Sequence, residues 1–280
     1  MGKSYTSAYL TINGLNLHYT IAGEGAPALL VHGHASSQAL WPRVHLRDVD
    51  STYCRYTLDL PGHGSSDKPP LTWFTLENYT QLLYEFCRQL GLKDVLLAGH
   101  SMGGLLCLNL ALMHPELAKQ LLLIAPVVEG SFLAYLDPLL HLESFACQFW
   151  AEQLLRIYNI YPWLAAPIGA NWYARPSMIF SDSFKQAHTD FARCPMPTLF
   201  GNFKMVRHTD LRDQLPHLRS PMLIITGDRD RVVPPRQAQM IAERAPRAKL
   251  VTIPQCGHLP FDEQPALFAA AVKEYFGMII

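Results

Sequence analysis

Charge is what this chain has least of. Asp, Glu, Lys and Arg make up 16% of its 280 residues, and 23 basic side chains are matched by 23 acidic ones. No net field is available to gather nucleic acid, an anionic membrane or a highly charged substrate, so recognition has to be local. Cysteine pairs are missing too. The six cysteines, at 54, 87, 107, 147, 194 and 256, form no C-x-x-C motif, and most fall in apolar stretches where a reduced thiol serves as a small hydrophobe. A reducing compartment is the simpler reading. No uninterrupted apolar run approaches the ~20 residues of a membrane span, and the first residues lack a basic stretch leading into an apolar one. The expectation is a cytoplasmic protein. Solenoid-length repeats and low-complexity tracts are absent as well.

Apolar sequence is abundant at 49% of the chain, enough to bury the core of one large domain. It is arranged in a rhythm. "AYLTI" and "LNLHYTIAG" read as strands joined at Asn13-Gly14, a strong two-residue hairpin signal. "ALLVHG", "RYTLDL", "DVLLAG", "QLLLIAP", "PMLIITG" and "AKLVTIP" follow as short apolar runs of the kind buried on both faces of a sheet. Helical stretches lie between them, clearest in "TLENYTQLLYEFCRQLG", which is apolar at spacings of three and four and stops at Gly91. Strands alternating with helices after an antiparallel start predict an α/β fold with a mostly parallel sheet and helices on both faces. The rhythm breaks between about Val127 and Pro216, where aromatics crowd in "FACQFW", "YNIYPWL" and "NWYARPSMIF" and no strand is convincing. The expected organisation is a core of residues 1–126 and 217–280 carrying a helical cap, or lid, at 127–216.

Gly99-His100-Ser101-Met102-Gly103 fits G-x-S-x-G, with a strand before it and a helix after. A sharp strand-to-helix turn strains the backbone at the serine, and the flanking glycines leave room where a side chain would collide. The hydroxyl then projects above the carboxyl edge of the sheet, at the amino end of a helix that favours negative charge. A serine needs a base to become a nucleophile. His258, in the loop after the last strand, returns to the same edge and is the leading candidate; His32, His34, His63 and His100, also at strand ends, rank below it. The base needs an orienting carboxylate. "ITGDRDRVVPP" offers Asp228 and Asp230, of which Asp230 is the better placed, with Asp228 bracing the loop and Glu129 a distant third. The backbone amides of Met102 and of His34, in the glycine turn "LLVHGHASS", are the expected oxyanion donors.

"VHGHASS", "DLPGHGSSDKP", "AGHSMGG", "GDRDRVVP" and "CGHLPFDEQP", in this order, resemble the α/β-hydrolase superfamily, and the match spans the chain outside the cap. The resemblance implies an eight-stranded α/β-hydrolase fold with Ser101 as nucleophile, Asp230 as acid, His258 as base and a cap inserted after the sixth strand. It implies no metal and no organic cofactor. A serine at the elbow separates the chain from dehalogenases and epoxide hydrolases, which use a carboxylate there. Carbon–carbon hydrolases of ring-fission products, which typically carry tryptophan where Leu259 stands, remain an alternative. So do cofactor-free haloperoxidases or perhydrolases and slow-turnover ligand receptors.

The reading is a serine carboxylesterase acting on a small-molecule ester, or possible lactone, with an apolar acyl or aryl group. No nucleic-acid or membrane partner is expected, and the chain is taken as a monomer or homodimer. Large aromatic side chains around a few polar anchors describe most small-molecule pockets. His100, Trp163, Trp172 and Leu259 are the candidates for substrate contact.

Overall fold

The computed structural model describes residues 5–44, 46, 52–130 and 170–277. Eight strands form one sheet: β1 (Tyr5–Ile12), β2 (Leu15–Ala22), β3 (Ala26–Val31), β4 (Tyr53–Leu58), β5 (Val95–His100), β6 (Ala118–Ile124), β7 (Met222–Gly227) and β8 (Ala248–Ile253), in the spatial order β1-β2-β4-β3-β5-β6-β7-β8. β1 and β2 are antiparallel to their neighbours, while β4, β3, β5, β6, β7 and β8 run parallel.

The continuous apolar runs are explained by their alternation. Leu29, Val31, Val95, Leu97, Leu121, Leu123, Met222 and Ile224 face one core layer; Ala28, Leu30, Leu96, Ala98, Leu122, Ile124, Leu223 and Ile225 face the other. Successive side chains point to opposite faces, so a strand covered on both sides has no polar position to spare. On the first face pack α1 (Leu76–Gln89), α2 (Met102–Met113) and α5 (Arg236–Arg244); on the second packs α6 (Pro265–Gly277). In α1, Tyr79, Leu82, Leu83 and Phe86 form the buried stripe at helical spacing, and Thr75 caps the helix by accepting from the Asn78 amide at 3.1 Å.

Between β6 and β7 the described residues form helices and turns, among them α3 (Asp182–Arg193) and α4 (Met196–Arg207), with one isolated bridge, Glu129 to Asp210. Polar contacts, buried or partly buried, fasten them to the rest of the chain. Ser37 Oγ donates to Asp190 of α3 at 2.8 Å, Arg43 donates to the Ser183 carbonyl at 3.0 Å and to Asp262 at 3.1 Å, and Tyr79 donates to Asn202 of α4 at 2.7 Å.

Two strands end earlier than their apolar runs suggest, where side chains take up backbone amides of other segments. Asp59, just past β4, accepts the backbone amides of Gln38 and Ser65 at 2.9 and 3.0 Å. The His32 ring, just past β3, accepts the Leu60 amide at 3.0 Å and donates back to the Gly33 carbonyl at 2.8 Å.

Candidate active site

Ser101 stands between β5 and α2 with φ 54° and ψ −119°, a conformation non-glycine residues seldom adopt. The crossing explains the glycines around it. A Cβ on Gly103 would lie 2.1 Å from the Val31 carbonyl oxygen, and one on Gly99 would lie 2.4 Å from the Gly103 oxygen, so the helix start can press against the ends of β3 and β5 only without side chains there. The Ser101 amide donates to the Ile124 carbonyl at 2.9 Å, and its own carbonyl accepts from Gly104 at 2.9 Å. These bonds hold the strained residue from both sides. Met102, the first residue of α2, belongs to the turn whose amides have no partner within the helix.

The turn after β3 passes beside this serine. A Cβ on Gly33 would come within 3.1 Å of the Ser101 Cβ and 3.2 Å of the His100 ring. His34 follows, half-buried, its ring pKa pushed down to about 4 by burial and by the neighbouring His32. Burial also lowers the ring pKa values of His32, His63 and His100, in His63 and His100 well below the ordinary 6.5. All four are therefore neutral near pH 7.

The ends of β7 and β8 are interlaced. Asp228 accepts the Cys256 amide at 3.1 Å, Arg229 donates to the Cys256 carbonyl at 2.8 Å, and a Cβ on Gly227 would fall 2.2 Å from that same oxygen. Asp228 is exposed and braces the loop, whereas Asp230 turns inward. Asp230 Oδ1 accepts the amides of Val232 and Val233 at 2.8 and 2.9 Å, and Oδ2 lies 2.7 Å from His258 Nδ1. A carboxylate only accepts, so the proton sits on Nδ1 and Nε2 keeps a lone pair. Glu129 is set apart, against Arg236 at 3.5 Å.

His258 lies over the serine's neighbour. The His100 and His258 rings are 4.8 Å apart between centroids, and His100 Nε2 donates to the His258 carbonyl at 3.2 Å. Ser101, Asp230 and His258 are 3%, 5% and 6% exposed, so charge developing there is poorly screened by water. Chemically, the arrangement sets a strained hydroxyl-bearing turn at a helix amino terminus on the same sheet edge as a histidine whose tautomer is fixed by a carboxylate.

The expected pocket residues fall in different places. His100 is at the site. Trp172 is half-buried among Phe184 and Phe191, and its carbonyl accepts the His258 amide at 2.8 Å. Leu259 is buried in the core layer with Phe261 and Phe268. Trp163 lies outside the described residues. Sequence reasoning passed over Glu263, whose buried carboxylate accepts from the Gly257, Ala174 and Arg175 amides. Its only signal was an acidic pair inside the apolar-flanked "PFDEQP".

The chain belongs to the alpha/beta hydrolase family, whose model matches residues 28–271. Among curated proteins it is similar to a pimeloyl-[acyl-carrier protein] methyl ester esterase from Nitrosomonas europaea, at 29% identity over 91% of this chain and 97% of that one. Among solved structures it is similar to a hydrolase from Pseudomonas aeruginosa, with TM-score 0.81, 25% identity and coverage of 97% and 98% of the two chains. An esterase from Exiguobacterium antarcticum shares the fold, with TM-score 0.80 at 21% identity over 97% and 100% of the two chains.

Proposed function

We propose that this protein is a serine carboxylic-ester hydrolase. The observation that carries the proposal is the 2.7 Å bond from His258 Nδ1 to Asp230, which leaves a basic Nε2 on the same edge as the strained Ser101. The Ser101 hydroxyl attacks the ester carbonyl while His258 Nε2 takes its proton, and Asp230 stabilises the imidazolium. The carbonyl oxygen becomes an oxyanion held by the Met102 and His34 amides. Collapse expels the alcohol, which leaves with the proton from His258. Water, deprotonated by the same ring, then releases the acid and restores the serine.

The substrate class is a small-molecule ester with an apolar acyl or aryl group. Similarity to a methyl ester esterase supports a small alcohol as leaving group. In this reading the described part of the 127–216 insertion, residues 127–130 and 170–216, is the lid and the rest of the described chain the catalytic core; residues 131–169 of the expected lid lie outside the described residues.

Turnover of p-nitrophenyl esters from acetate to long acyl chains, wild type beside Ser101→Ala, tests the assignment. The expected result is many turnovers per wild-type molecule and a loss of about 10⁴-fold or more in the variant with its fold intact. Undiminished turnover by Ser101→Ala would overturn the proposal.

A further inference from the structure

We propose that Glu263 is a positioning residue for His258, and that it makes the alignment of this histidine depend on docking of the 172–175 segment. This rests on the role assigned to His258 above.

His258 sits in a loop outside any helix or strand, so its backbone is held only by what surrounds it. The Gly257 amide donates to Glu263 Oε1 at 2.6 Å, and the His258 amide donates to the Trp172 carbonyl at 2.8 Å. Glu263 Oε2 reaches the other way, accepting the Ala174 amide at 2.8 Å and the Arg175 amide at 3.3 Å. Arg175 returns the contact by donating from its guanidinium to the Glu263 carbonyl. One carboxylate thus joins the loop of the proposed base to a segment inserted between β6 and β7.

The fit is close. A Cβ on Gly257 would stand 2.7 Å from both the Ala174 nitrogen and the Trp172 oxygen, and 2.8 Å from Glu263 Oε1. Glu263 is 2% exposed, and burying a carboxylate is unfavourable unless hydrogen bonds replace its water. Here three amides do so, each fixed in one place. If residues 172–175 undock, Glu263 loses two donors and His258 loses its amide acceptor together. Of the hydrogen bonds of His258 itself, those to Asp230 and His100 then remain, with the Gly257 amide still on a Glu263 that has lost its other two donors. A displacement of about 1 Å at a reacting group can lower a rate on the order of 100-fold, so the contact links closure of this segment to reactivity.

Glu263→Gln is the discriminating variant. It keeps size and one acceptor oxygen, but its amide nitrogen must face either the Gly257 amide or the Ala174 and Arg175 amides, donor against donor. Steady-state kinetics on a p-nitrophenyl ester, normalised to active sites titrated with an organophosphonate, should show kcat lowered about 10- to 100-fold with KM within about twofold. The low-field NMR proton of the His258–Asp230 bond should broaden or vanish. If that variant does not fold, Arg175→Ala carries the test, since its side chain is exposed; kcat several-fold lower at unchanged KM is expected. Wild-type kcat in the folded variant, a loss confined to KM, or an unaltered low-field proton would overturn the inference. Ser101→Ala run in parallel separates the two failures. Turnover surviving in Ser101→Ala rejects the serine mechanism itself, whereas an inactive Ser101→Ala beside an unimpaired Glu263→Gln rejects the role of Glu263 alone.

Discussion

Both oxygens of Asp230 are engaged: one takes two loop amides and the other takes His258 Nδ1. Asparagine cannot reproduce this. Its amide nitrogen would oppose either the Val232 and Val233 amides or the Nδ1 proton, and turning the ring to the other tautomer removes the lone pair from Nε2. Asp230→Asn should lower kcat by about 10³- to 10⁴-fold with little change in KM, measured on any ester the wild type turns over. A loss below tenfold would contradict the orienting role. At this scale the sequence was most legible where chemistry needs a rare pattern. The strained serine between glycines and the aspartate three residues past Gly227 both announce themselves. Glu263 does not, because an acid beside Asp262 at a short helix looks the same whether it faces water or three buried amides.

At the scale of elements, the elbow depends on close approach of α2 to the end of β3. Gly103→Ala would put a methyl group 2.1 Å from a backbone oxygen that cannot swing aside. The expected loss is about 3 kcal/mol, seen as a lower urea midpoint at unchanged slope; a wild-type midpoint would show that the helix start is not fixed by this contact. Thr75→Ala, which removes the cap of α1 away from the site, should cost only about 1 kcal/mol and leave turnover intact. Strand positions were readable from apolar runs because both faces of the sheet are covered. Their ends were not, since the Asp59 carboxylate and the His32 ring each take a backbone amide distant in sequence. The aromatic segment after β6 drew attention to the Trp172 ring, yet the group that meets His258 is the backbone carbonyl, which every residue possesses.

For the molecule as a whole, balanced formal charge conceals an uneven distribution of protons. Burial lowers the pKa values of His32, His34, His63, His100 and His188 relative to 6.5, reaching about 4 for His34. The unfolded chain binds more protons than the folded one below 6.5, so their contribution is complete above that pH and is lost as pH falls toward the folded values. Asp59, held below the usual carboxylate range by the Gln38 and Ser65 amides against the effect of burial, adds a loss at still lower pH. Asp190 and Glu263 oppose this. Burial raises both, so they bind protons earlier when folded and gain stability as pH falls toward the carboxylate range. Five histidines against two carboxylates predict a Tm that falls by about 5 °C or more from pH 7 to pH 5. A flat or rising Tm over that interval would mean these rings are not buried neutral. Such a dependence was not legible in the sequence, where 12 histidines look alike until folding buries some of them.

The claim on which the mechanism turns is that Ser101 is the nucleophile that bonds covalently to the substrate. Intact-mass and peptide analysis after reaction with an organophosphonate tests it most directly. One adduct per chain on the peptide carrying Ser101, absent in Ser101→Ala and formed far more slowly in His258→Ala, is the predicted result. An adduct on another residue, or labelling of Ser101→Ala at the wild-type rate, would contradict it.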